Sequence, residues 1–120
     1  MSIFETSAGK LIGPTTGGTV TQATSKSTGV TLNKASGQIT MDDAALAAAA
    51  EVSFTVTNSE IAATDVVIVN HASAGTAGSY LVQANTIAAG SFAITVSNVS
   101  AGSLSEAIVL TFAIFKAAAS

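Results

Sequence analysis

Cysteine, arginine and tryptophan are all missing from these 120 residues, and charge of either sign is scarce. Without cysteine there is no disulfide framework and no thiolate metal site, and the compartment is left open. Four lysines, no arginine and a net charge of −3 exclude the clustered basic footprint that nucleic-acid binding needs. Charged residues make up 9% of the chain, against about 25% in an ordinary globular protein. Between Asp65 and Glu106 the only titratable side chains are His71 and Tyr80. Long apolar runs are also absent. The longest, residues 44–50 and 107–110, fall far short of the roughly 20 residues of a membrane helix. Residues 1–14 contain no apolar stretch of the kind that marks a secretory signal, so none is expected.

The chain is instead rich in Ala, Ser, Thr, Gly and Val, and its length fits one domain. It is organised around residues 91–116, which read as two strands joined by a polar loop. In the first, Phe92, Ile94, Val96 and Asn98 alternate with Ala93, Thr95 and Ser97, which puts one set on each face. In the second, Ile108, Leu110, Phe112 and Ile114 form one row, and Ala107, Val109, Ala113 and Phe115 the other, interrupted by Thr111. A strand apolar on both faces is expected to be covered on both. Residues 65–70 have the same character. One cover is the core; the other is a second layer, another subunit or a larger assembly, with Val109 and Phe115 as the contact residues.

Other segments follow the same grammar. Three short β-like pieces lie around Val20, around Val30 and Leu32, and around Ile39 and Met41, where Thr and Val recur. Residues 34–37 read as a hairpin loop that sets Val30 and Leu32 against Ile39 and Met41. Residues 41–52, with Asp42-Asp43 before an Ala run, predict one helical turn or an irregular crossover between sheets. In residues 51–58, Val52, Phe54 and Val56 point inward. An echo links two corners. Thr55-Val56-Thr57-Asn58 precedes a polar loop and Asp65; Thr95-Val96-Ser97-Asn98 precedes one ending at Glu106. Asn at such corners can close an Asx-turn on the following backbone.

About eight short strands with turn signals between them predict an all-β, antiparallel sandwich, jelly-roll-like or immunoglobulin-like. Its bounds are 18–116. Residues 1–17 form an arm ahead of it, and 117–120 a tail. The arm is broken by Gly13-Pro14 and Gly17-Gly18, yet it carries Ile3, Phe4, Leu11 and Ile12, more apolar surface than a solvated leader needs. Those four are the predicted partner-binding residues. Their burial and the ordering of the backbone are comparable in size, so the arm is expected to be fixed only where backbone pairing or a neighbour adds to the gain.

Chemistry-bearing constellations are thin. Asp65, His71 and Ser73 are the residues nearest to a hydrolase triad, but Asp65 and His71 sit at opposite ends of one strand, roughly 20 Å apart at a strand's rise, where a triad needs contact. A single His without Cys makes a poor metal site, and Asp42-Asp43 lacks calcium-loop spacing. Gly75 and Gly78 are not followed by the Lys-Ser/Thr of a phosphate loop. No catalytic, metal or cofactor residue is predicted.

Residues 17–41, 53–58, 67–71 and 91–114 together resemble short proteins encoded near the structural genes of tailed phages. The resemblance covers nearly the whole chain after the arm. It implies a virion structural component, in the first place a capsid decoration (cement) protein bound to the head surface, made in the bacterial cytoplasm. It also implies a β-rich homotrimer whose partners are the major capsid protein and copies of itself. A tail- or fibre-associated module, glycan-binding ones included, is the alternative.

Overall fold

The computed structural model describes residues 17–117. Eight strands run in order: β1 (Thr19–Thr21), β2 (Val30–Thr31), β3 (Ser36–Thr40), β4 (Glu51–Thr57), β5 (Val66–Ser73), β6 (Tyr80–Ala88), β7 (Ser91–Asn98) and β8 (Val109–Phe115). They make two four-stranded sheets, ordered β1-β3-β8-β5 and β2-β4-β7-β6. The expected sandwich is therefore present. Among the described residues there is no helix.

Alternation along the strands decides the core. Phe54 and Val56 of β4, Phe92, Ile94 and Val96 of β7, and Leu110, Phe112 and Ile114 of β8 are buried between the sheets. The Phe92 and Phe112 rings meet across the gap with centroids 5.6 Å apart, within the favourable range for aromatic pairs.

The pairing is not wholly antiparallel, contrary to expectation. β1 runs parallel to β3, and β2 parallel to β4. Nor do residues 34–37 close a hairpin. β2 and β3 belong to different sheets. The backbone explains why. Leu32 N–H donates to the Thr57 carbonyl at 3.0 Å, extending the ladder onto β4, while Ile114 N–H donates to the Ala35 carbonyl at 2.8 Å in the opposite sheet. Residues 33–35 are thus a step from one layer to the other.

Residues 41–50 form a crossover rather than a helical turn. Leu46 is buried and exchanges backbone hydrogen bonds of 2.8 and 3.0 Å with Leu104. Asp42 Oδ1 accepts from Ala44 N–H at 2.8 Å, an Asx-turn in place of a helix cap. Ala has high helix propensity, but a run this short cannot hold alone, and burial of Leu46 between two loops wins. The polar loop of the 91–116 segment likewise joins strands in different sheets, since β7 pairs with β4 and β6, and β8 with β3 and β5.

Candidate functional site

Two places gather side chains of interest: the loop cluster around Glu106, and the outer face of the β1-β3-β8-β5 sheet.

At the first, the Glu106 carboxylate is a clasp. Oε1 accepts from Thr76 N–H at 3.0 Å and from the Tyr80 hydroxyl at 2.8 Å, and Oε2 accepts from the Thr76 hydroxyl at 2.7 Å. The Thr76 and Tyr80 hydrogen bonds hold this carboxyl below its usual range, burial opposes them weakly, and the charge of His71 adds to the lowering. Burial, then the bond to Glu106 and its charge, push the Tyr80 phenol well above its ordinary value. His71 stands edge-on to Tyr80, centroids 5.5 Å apart. Its Nε2 meets the carbonyls of Ala74 at 2.6 Å and Ser73 at 3.1 Å. Gly75 lies beneath, at φ 73°, and a Cβ there would come within 2.6 Å of the Ile108 side chain. Glycine is required on both counts. The carboxylate contacts of Glu106 pin the 74–79 loop and the start of β6 to the segment leading into β8.

Lys26 reaches the same segment from the other side. Its side chain is buried, and Nζ donates to the carbonyl oxygens of Glu106, at 2.7 Å, and of Asp42. Burial lowers its pKa, with the charges of Asp42, Asp43 and Glu106 partly restoring it. Gln22, also buried, donates Nε2 to the Lys26 and Thr28 carbonyls and accepts from Asp42 N–H at 2.9 Å. Sequence reading missed both, because a Lys and a Gln in a Ser/Thr-rich stretch have the signature of solvated side chains.

The Asp65, His71 and Ser73 constellation is not assembled. Asp65 Oδ2 pairs with Lys116 Nζ at 2.7 Å and accepts from Ala62 N–H at 2.8 Å, while His71 faces Tyr80 at the far end of β5 and Ser73 offers it only a carbonyl. Burial pushes the Asp65 carboxyl up, but the Lys116 hydrogen bond and charge and the backbone donors Ala62 and Ala117 together bring it below its usual value.

The second place is a surface. On the outer face of β5, Val66 is 53% exposed and Ile68 50%. In register beside them on β8 lie Phe115 and Ala113. Val109 and Phe115 are half-buried. Within the described residues one face of β5 is covered: Val69 is buried inward, while Val66 and Ile68 are exposed on the outer face. Period-two alternation identifies the two rows correctly, but an apolar row does not by itself say what covers it. The four arm residues Ile3, Phe4, Leu11 and Ile12 lie outside the described residues. On the other sheet, Leu81 of β6 is 65% exposed and Val99 stands close to half-exposed beyond β7.

No protein-family model, curated protein or solved structure matches the chain.

Proposed function

We propose that the chain is a virion structural protein that decorates the outside of a phage head, binding the capsid in many copies and stabilising it. The observation that carries the reading is the outer face of the β1-β3-β8-β5 sheet, where Val66 and Ile68 lie half-exposed beside Phe115 and Ala113 on strands without a charged side chain. Grouped apolar exposure of this kind suits contact with another protein. The resemblance of residues 17–41 and 91–114 to short tailed-phage proteins supplies the setting. In this reading the sandwich is a rigid body that projects outward, the arm residues Ile3, Phe4, Leu11 and Ile12 attach it, and the chain acts as a homotrimer. The Glu106 clasp and the Lys26 bridge are then structural, fixing loops so that the body presents one shape.

Purified virions test this directly. A decoration protein is expected in high copy number on a protein gel, with its density on the head. A handful of copies located on the tail would favour the tail- or fibre-associated module. In the same particles, His71→Ala, Asp65→Asn and Glu106→Gln are expected to leave occupancy intact apart from any loss of stability. A variant that folds and assembles but has lost function would overturn the non-enzymatic reading.

A further inference from the structure

We infer that the half-exposed row on β5 is the resting place of the chain's own arm, residues 1–16, so that in the free protein the arm forms a second layer over the outer face of its own sheet. The inference is independent of any capsid. It rests on where the arm enters, what the face offers and how far the arm reaches.

Gly17 leads directly into β1, an edge strand of the sheet that carries Val66 and Ile68 at its other edge. β1 runs parallel to β3, and β3 and β5 both run antiparallel to β8. β1 and β5 therefore point the same way, and across β3 and β8 the register sets Thr19 level with Thr111 and Asn70. Val66, Ile68 and Phe115 lie ahead of that level, on the side from which the chain enters β1.

Between the edge strands lie three strand spacings of about 4.8 Å, roughly 14 Å in all. Sixteen residues can span about 50 Å when extended, enough to cross the sheet and lie back along β5. Gly18 is held against β3, its carbonyl accepting from Gln38 N–H at 2.9 Å, so the reversal this needs falls ahead of it, where the sequence offers Gly13-Pro14. The chemistry matches as well. The arm brings Ile3, Phe4, Leu11 and Ile12, and its two charged residues, Glu5 and Lys10, cancel. Val66, Ile68 and Ala113 carry no charge to repel them. A tether this short also holds the arm near the face at an effective concentration in the millimolar range. A second copy reaches such a concentration only in concentrated solution, so the chain's own arm takes the site. A partner that captures the arm uncovers Val66 and Ile68 in the same event, and attachment through the arm exposes a second apolar contact.

The absence of native cysteine makes the test simple. In the full-length chain, Ile68→Cys reports coverage of the face through its rate of reaction with a thiol reagent. Leu81→Cys, on the opposite sheet, is the control. Val66→Cys serves if Ile68→Cys does not fold. Each is measured with the native arm and with Ile3→Ser, Phe4→Ser, Leu11→Ser and Ile12→Ser together, none of which belongs to the described core. The polar arm is expected to speed labelling at residue 68 about tenfold, the factor for a face otherwise open a tenth of the time, and to leave residue 81 unchanged. With the native arm, protection is expected to survive dilution. Equal rates with both arms would overturn the inference. So would equal acceleration at residues 68 and 81, which marks general loosening. Protection lost on dilution would also overturn it, because a neighbour's arm would then be the cover.

Discussion

At the scale of single residues, the buried polar groups are the informative ones, because a small chain this poor in charge still places a lysine and an aspartate inside. Asp65 is held ionised by Lys116 and by backbone donors, and Glu106 by Thr76 and Tyr80. Both carboxyls have folded-state pKa values below their ordinary 3.8 and 4.5. A depressed carboxylate contributes stability that is fully present above the unfolded value and lost as pH falls through the folded one. The urea midpoint is therefore expected to be level near neutrality and to drop as pH falls from about 5 towards 2. Asp65→Asn is expected to lower the midpoint at pH 7 and to flatten part of the acid drop, since its charge no longer has a proton to take up. An acid drop of unchanged size in that variant would show that Asp65 is not one of the groups responsible. None of this was legible beforehand. Asp65 reads as the polar start of a strand and Lys116 as the edge of a tail, and only the fold brings residues so distant in sequence together.

At the scale of elements, the two corners repeat each other in space as well as in sequence. Thr55 and Thr95 are forty positions apart, and so are Phe54 and Ile94, which are direct partners in the β4–β7 register. Asp65 and Glu106 are forty-one apart, and so are Asn70 and Thr111, partners in the β5–β8 register. The units β4–corner–β5 and β7–corner–β8 are thus related by an approximate two-fold axis through the sandwich, each strand of one pairing with its counterpart in the other. Both corners turn on a fully buried Asn, as the Asx-turn expectation required. Asn58 Oδ1 accepts from Glu60 N–H at 2.7 Å while Nδ2 donates to the Lys34 carbonyl at 2.7 Å. Asn98 Oδ1 accepts from Ser100 N–H at 2.9 Å and its hydroxyl at 2.7 Å, and Nδ2 donates to the Leu46 and Gly102 carbonyls at 2.8 and 2.9 Å. The strands and corners were readable because alternation and Asn-Ser chemistry are local. Sheet membership was not, because the parallel pairs β1–β3 and β2–β4 depend on which layer each short strand is drawn into. Each buried group left without a partner costs about 1–3 kcal/mol. Asn98→Ala is accordingly expected to destabilise more than Asn58→Ala, and both far more than Asn70→Ala on the exposed face of β5. Small and equal losses for all three in urea unfolding would remove the corners from the list of stabilising devices.

At the scale of the whole molecule, the sandwich ends in edge strands that carry little protection. β5 and β6 close the same side of their respective sheets, and neither contains a charged residue or a proline. Natural sheets commonly blunt such edges with lysine, proline or bulges. Here the only such device is a break in register, between His71 and Ser73 on β5 and between Asn85 and Ala88 on β6. Each break lies towards one end of its strand, so the regular pairing edge of β5 from Val66 to His71 and of β6 from Tyr80 to Asn85 is left able to meet a neighbour. Leu81, exposed beside the β6 edge, adds apolar area to such a contact. With few charges to repel a second copy, the expected state in solution is an oligomer, with a trimer favoured by the resemblance to decoration proteins. Light scattering at micromolar concentration is expected to give a mass above that of the 11.7 kDa chain. Leu81→Lys places a charge at the β6 edge and Ile68→Lys one beside the β5 edge. The variant that shifts the mass towards the monomer identifies the edge in use. A clean monomer at micromolar concentration for the unaltered chain would overturn the oligomer expectation.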